Sequence, residues 1–336
     1  MTLRLAVIGC GLKAADYARS WMTSPEAPEV LALTDPSAEA VERYAGIVRS
    51  AGGAPPRVHP DARALLAAEA GQVDAVYVST PHAFHAGIAQ AALDTGLDVL
   101  LEKPMALSAE EARSILDACR RSGRTVVVAY QASLSPLLAR LRERAAAGEF
   151  GALLSVSGEV WENWEDRYRG GWKQVPALSG GGFLFDTGSH LMNAVVVLSG
   201  RGYEAVAARL QPEDSDLDLT GSLLGALEGG VPVALTFCGR TIPGCESALT
   251  LFFERAILRA DIWGKWAELR PADMDPIRET AGEDKGAVLS TFQAVRRGEI
   301  VNPSSPERSL HLAELWDLVK QSSRGGAVPL PLTTRP

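Results

Sequence analysis

The chain has 336 residues, 46% of them hydrophobic and 22% charged, with a formal net charge of −8. That length suggests two domains with a sizeable core, and the composition is that of an ordinary globular protein. The acidic balance, with no basic run, argues against a general nucleic-acid or anionic-membrane partner. The four cysteines (Cys10, Cys119, Cys238, Cys245) are scattered with no Cys-x-x-Cys pair. The N-terminus lacks the apolar region and cleavage site of a signal peptide, and no stretch nears the ~18 apolar residues of a membrane span. The expectation is a reducing, cytoplasmic compartment.

The first third alternates strand and helix patterns. Leu3–Ile8, Glu29–Thr34, Ala75–Ser79, Leu97–Leu101 and Thr125–Ala129 read as strands, with a short one at Arg57–His59. Lys13–Met22, Ser37–Arg49, Ala83–Thr95 and Ser108–Ser122 read as helices. Ser37 is placed to cap the second helix, and Ser108-Ala109-Glu110-Glu111 has the form of a capping box. Near-continuous apolar strands alternating with helices predict a doubly wound parallel sheet, an α/β architecture. The expected boundary lies at 125/126, giving a dinucleotide-type domain over 1–125 and a second domain over 126–336.

The pattern changes after Pro136. A helix over Leu137–Ala147 precedes long segments of alternating character: Leu153–Trp161, Tyr203–Gln211, Thr220–Glu228, Val231–Arg240, Ala248–Glu254, Ala256–Trp263 and Trp266–Arg270. These predict an α+β domain with a large, mostly antiparallel sheet. Helices at Phe183–Leu198, Asp284–Arg297 and Pro306–Ser322 are expected to cover one face, leaving the other for a partner subunit. The tail, 325–336, is rich in Gly, Pro and Thr, and its end is expected to be loose.

Gly9-Cys10-Gly11-Leu12-Lys13-Ala14 follows the first strand and opens the first helix, in the form G-x-G-x-x-A. Gly9 permits the tight turn, Gly11 lets backbone approach a pyrophosphate, and Ala14 keeps helix and strand close. The helix N-terminus supplies N–H groups and positive dipole. Asp35 ends the second strand at the separation expected of an acid that binds the adenosine ribose. Its charge favours NAD, while Arg43 or Lys13 leaves NADP open.

Lys103 stands in Leu100-Leu101-Glu102-Lys103-Pro104, at the carboxyl end of an apolar strand. Pro104 stops that strand. Ligands of open α/β sheets bind at such strand ends, and neither burial nor turn formation calls for an ammonium there. Thr80 and Pro81 end the preceding strand, and His82 and His85 follow three residues apart. No third local ligand accompanies the histidines, so no metal site is expected. Asp186 and His190 stand at i, i+4 after the glycines Gly180, Gly181 and Gly182, which allow close approach of a backbone or ligand. His190 can take a proton from a hydroxyl near neutrality, and Asp186 can orient it. Trp161, Trp164, Tyr168 and Trp172 crowd the preceding loop; packing or a subunit contact is preferred there over stacking on a sugar. The acidic stretch from Glu213 to Asp218 lacks the glycine and closing glutamate of a calcium loop and reads as a solvated turn.

Taken together, Gly9–Ala14, Thr80-Pro81 with His85, Glu102-Lys103-Pro104, Trp172-Lys173, Gly180–Gly182 and Asp186-x-Gly188-x-His190 resemble the glucose–fructose oxidoreductase / inositol dehydrogenase / rhizopine catabolism family, Gfo/Idh/MocA. The likeness runs from the N-terminus to about residue 198. It implies a Rossmann domain binding NAD(P), with Gly9, Gly11, Leu12, Ala14, Asp35, Thr80, Pro81, His85, Glu102 and Lys103 at the cofactor. It further implies Lys103, Asp186 and His190 as catalytic residues, with Trp172 and Lys173 beside them at a small polyol substrate. A homodimer or homotetramer through the C-terminal sheet is the implied assembly. Ser133, Lys173 and Asn193 depart from the family's usual arginine, arginine and acid, which leaves the substrate open. The expected reaction moves hydride between nicotinamide and a secondary hydroxyl of a sugar, cyclitol or related polyol. The alternatives are a non-catalytic NAD(P)-binding sensor and an enzyme that uses NAD transiently in C–O bond cleavage.

Overall fold

In the computed structural model, which describes residues 2–212, 216–281 and 285–334, the early apolar runs form a six-stranded sheet. Its strands are β1 (Arg4–Ile8), β2 (Glu29–Thr34), β3 (Arg57–Val58), β4 (Ala75–Val78), β5 (Asp98–Leu101) and β6 (Val126–Val128), in spatial order β3-β2-β1-β4-β5-β6. Every pairing among them is parallel. β4, β5 and β6 are buried at every residue, which is why they read as unbroken apolar runs. Ser37 caps its helix as expected, accepting the Ala40 N–H. The helix Ala62–Glu69 was not expected; it is short, and Asp61 caps it by accepting the Ala64 N–H.

Two compact units divide the chain. One holds Met1–Ala106, Glu110–Ala129 and Lys285–Pro306; the other holds Leu107–Ala109, Tyr130–Asp284 and Glu307–Pro336. The division differs from a single cut at 125/126 for two reasons. β6 pairs with β5 and so belongs to the first sheet. The late segment also returns to the first unit, where the helix Gly286–Arg296 buries Val288, Leu289 and Phe292. Trp21 Nε1 donates to the Lys285 carbonyl at 3.1 Å, and Gln293 Nε2 to the Glu26 carbonyl at 3.0 Å. Arg296 pairs with Asp98 at 2.7 Å. An apolar helix face does not announce in sequence which core it will cover.

The second unit is built on a nine-stranded sheet: β7 (Leu153–Glu162), β8 (Tyr203–Gln211), β9 (Thr220–Leu227), β10 (Val231–Cys238), β11 (Cys245–Phe253), β12 (Ala256–Ala260), β13 (Trp266–Pro271), β14 (Ile277–Thr280) and β15 (Leu330–Pro331). Their order is β14-β13-β12-β11-β7-β10-β9-β8-β15. Only the β7–β10 pairing is parallel among those described. The helix Ser189–Ser199 lies on one face; a Cβ at Gly158 of β7 would meet Leu191 at 2.9 Å. On the opposite face, register aligns Ala207, Leu224, Ala234, Ser157 and Thr250 in one row across five strands. Leu224 is 62% exposed there. The tail is tied down over its described part: β15 pairs with β8, and Glu314 accepts from the Thr334 N–H at 2.9 Å. No described helix is long and apolar enough to cross a membrane.

Candidate active site

In the first unit, Gly9 sits at φ +92°, where a Cβ would lie 2.4 Å from the Ser79 carbonyl oxygen. Only glycine fits both constraints. Gly11 is the N-cap of the helix Leu12–Trp21, and a Cβ there would meet nothing within 4 Å. The first N–H groups of that helix therefore face an open approach, with Leu12 exposed and Ala14 buried beneath. Asp35 ties this loop to the end of β2: its Oδ2 accepts the Cys10 N–H at 2.7 Å and its Oδ1 the Ser37 N–H at 2.8 Å. A carboxylate has further lone pairs for a ribose diol. Arg43 reaches the next peptide of the same loop, 3.5 Å from the Cys10 carbonyl. Burial pushes the Cys10 thiol up to about 12, so it is no nucleophile at neutral pH.

The ends of β4 and β5 are joined by His85. Its Nδ1 lies 2.8 Å from the Pro104 carbonyl and its Nε2 3.0 Å from the Thr80 carbonyl, and the ring is wholly buried. Burial, helped by the charge of Lys103, pushes the imidazole down to about 4 although both carbonyls favour the cation. The geometry makes His85 a clamp on the Lys103 loop, with neither ring nitrogen turned to a ligand. Glu102 is buried and accepts the Tyr77 hydroxyl at 2.8 Å. Lys103 itself is half-buried. The Thr80 hydroxyl is buried with no partner among the described residues. The open helix N-terminus, the anchored Asp35 and this orphaned hydroxyl fit a dinucleotide.

In the second unit, Asp186 lies in a π-helical turn, Leu184–Gly188, which runs into the helix Ser189–Ser199 carrying His190. Such turns recur at functional sites. The glycines before it serve a backbone contact. A Cβ at Gly182 would stand 1.9 Å from the Asp218 carbonyl oxygen. The Asp218 carboxylate accepts the N–H groups of Gly182 and Leu184 at 2.7 and 2.6 Å. Asp218 is thus buried and structural, not part of a solvated turn; Glu213 and Asp214 lie outside the described residues. Burial raises its carboxyl to about 6 against the pull of those N–H groups.

Asp186 Oδ2 accepts two hydrogen bonds, from Trp164 Nε1 at 2.8 Å and from Lys173 Nζ at 2.6 Å. The Lys173 ammonium also lies 4.1 Å from the Tyr168 ring centroid. His190 is buried, with the Tyr130 ring edge-on at 5.8 Å and the Trp263 ring at 6.2 Å. Burial pushes the Tyr130 hydroxyl well up, so it remains a proton donor at neutral pH. Beside Asp186, Thr187 donates to buried Glu162 at 2.9 Å, and Glu162 pairs with Arg167 at 2.8 Å. Ser133 and Asn193, two of the departures noted in the sequence, are buried and exchange hydrogen bonds at 3.1 and 3.2 Å. They form one neutral pair.

The structure brings Lys173 onto Asp186, with His190 one turn on; the sequence reading missed Trp164 on Asp186, Tyr130 and Trp263 beside His190, and Glu162 on Thr187. Trp164 was visible only as one of several aromatics, and it is fully buried, so it offers no face to a sugar. Tyr130 and Trp263 carry no local motif.

Two family models match the chain. Residues 3–130 match the GFO/IDH/MocA oxidoreductase family with an NAD-binding Rossmann fold, and residues 138–259 match the GFO/IDH/MocA C-terminal domain. Among curated relatives, D-xylose 1-dehydrogenase (NADP(+)) 2 of Haloferax volcanii is 31% identical over 67% of this chain and 64% of its own length. The match to 1-carboxy-3-chloro-3,4-dihydroxycyclohexa-1,5-diene dehydrogenase of Comamonas testosteroni is 28% identical, over 54% of this chain and 46% of that protein. The chain therefore spans less than two thirds of each of these two. dTDP-3,4-didehydro-2,6-dideoxy-alpha-D-glucose 3-reductase of Actinomadura kijaniata is 29% identical over 96% of both chains. The solved inositol dehydrogenase homolog of Azotobacter vinelandii, complexed with NAD+, shares the fold at a TM-score of 0.85 and 20% identity, covering 99% of this chain and 98% of that one.

Proposed function

Because the chain belongs to the GFO/IDH/MocA oxidoreductases, with an NAD-binding Rossmann domain and the family's C-terminal domain, we propose that it transfers hydride between NAD and a secondary hydroxyl of a sugar, cyclitol or related polyol. The observation that carries this reading is the placement of buried His190 one turn from Asp186, whose carboxylate is held by an indole N–H and an ammonium. A base beside fixed polar groups suits removal of a hydroxyl proton.

On this proposal Gly9, Gly11, Leu12 and Ala14 bind the pyrophosphate through the helix N-terminus, and Asp35 binds the adenosine ribose. Arg43, next to the same loop, accommodates NADP as the second choice. Thr80 and Pro81 hold the nicotinamide half, while His85 and Glu102 act by fixing the strand ends that carry them. When bound, the nicotinamide supplies the carbon that accepts or returns hydride. His190 takes the hydroxyl proton, and Lys103 donates a hydrogen bond to that oxygen as negative charge develops on it. Asp186, Lys173 and Trp172 position the substrate's other hydroxyls. A second reading, reduction of a keto sugar, has support in the reductase matched along 96% of its length.

The proposed assembly is a homo-oligomer through the uncovered face of the nine-stranded sheet, whose row of small and apolar side chains suits a flat contact. The test of function is spectrophotometric. NADH should appear with members of a neutral polyol panel, or NADH should be consumed with the corresponding ketones. Neither change across the panel, with dinucleotide still bound, would return the sensor alternative. Turnover without net NADH would point instead to transient use of NAD.

A further inference from the structure

We propose that Trp164 is a positioning residue of the active site: through Asp186 it aims the Lys173 ammonium at a substrate hydroxyl. The inference rests on the dehydrogenase reading and deepens it.

Three separate pieces of chain meet at one oxygen atom. Trp164 opens the short helix after β7, Lys173 lies in the turn Trp172–Gln174, and Asp186 lies in the π-helical turn Leu184–Gly188. An oxygen that accepts from an indole at 2.8 Å and an ammonium at 2.6 Å carries no proton of its own, so Oδ2 serves as a directed acceptor rather than an acid.

The two donors differ in kind. The indole is rigid, donor-only and fully buried, and the following residue is pinned to the sheet by the Glu165 N–H on the Gly239 carbonyl at 3.0 Å. Lysine has a flexible stem, and its side chain keeps 22% exposure. The fixed donor therefore sets the carboxylate, and the carboxylate sets the lysine. The Tyr168 ring under the ammonium at 4.1 Å limits its remaining freedom. An ammonium has three N–H groups, and Asp186 takes one, which leaves donors for a hydroxyl. Its charge is already balanced, so the pair suits a neutral polyol better than an acid.

Trp164→Phe keeps the ring and removes the N–H. It should lower kcat/KM for the polyol roughly 10-fold, chiefly through KM, and leave dinucleotide affinity unchanged. In an Asp186→Asn background the same change should have little further effect. Equal losses in both backgrounds would mean that Trp164 merely packs, and would overturn the proposal. A readout independent of turnover is the indole ¹H–¹⁵N resonance of Trp164, assigned by its loss in Trp164→Phe. It should move upfield in Asp186→Asn, and downfield in Lys173→Met as the indole keeps the oxygen alone. A resonance that ignores both changes overturns the proposal, whatever the activity. Failure of the wild-type protein to turn over any polyol would count against the dehydrogenase reading, and the indole signal would still decide this one.

Discussion

At the residue scale the proposed chemistry depends on a few side chains whose surroundings differ sharply. Lys103→Met and His190→Ala should each cut turnover by ~10²-fold or more, because each removes a proton-handling group. Steady-state NADH formation checks this, and near-wild-type rates in both variants would end their assignment. Asp35→Ala should weaken NAD binding by roughly 10–100-fold, the worth of hydrogen bonds to a charged acceptor. The same change should raise the NADP-to-NAD preference, since Arg43 remains beside the Cys10 carbonyl. Protein-fluorescence titration with both dinucleotides reads it. Lys103 stands out in sequence because burial and turn formation leave its ammonium unexplained, and Asp186 and His190 because of their i, i+4 spacing after three glycines. Trp164 and Tyr130 were not, because an aromatic in a folded chain is by default core.

Elements are joined here by buried polar groups, and these make stability depend on pH in opposite senses. His85 clamps the ends of β4 and β5, and its folded value near 4 lies below its ordinary 6.5. The stability it contributes is complete above 6.5 and is lost as pH falls toward 4, by up to about 3 kcal/mol. Asp218 caps the π-helical turn, and its folded value near 6 lies above its ordinary 3.8. Its contribution is complete below 3.8 and is lost as pH rises through 6. Acidification from pH 7 to 4 should therefore destabilise the first unit against unfolding through His85 and stabilise the second through Asp218. Hydrogen exchange at both pH values checks the two signs, and His85→Gln should flatten the first. Gly182→Ala should destabilise the second unit by about 3 kcal/mol in urea unfolding, since its Cβ would overlap the Asp218 carbonyl.

For the whole molecule, the return of Lys285–Pro306 to the first unit is decisive. A fragment covering residues 2–130 lacks Phe292 and the partners of Trp21, Glu26 and Asp98. It should show poor near-UV dichroism and dispersed proteolysis, where a self-sufficient Rossmann domain would resist. The uncovered sheet face makes the other prediction at this scale. Leu224→Lys, within the row across that face, should shift the assembly toward monomer in size-exclusion light scattering; an unchanged mass would place the subunit contact elsewhere.

The sequence by itself determined the parallel sheet, the glycine loop with its acid, and the residue types on which the proposed reaction rests. Each of these is written in local periodicity or in a short motif. Tertiary structure alone decided which core the helix Gly286–Arg296 covers, that β15 ties down the tail, and that Ser133 meets Asn193. It also decided that three separate turns converge on one oxygen of Asp186. Such contacts join residues far apart in the chain, and neither side-chain pattern nor spacing records a partner of that kind.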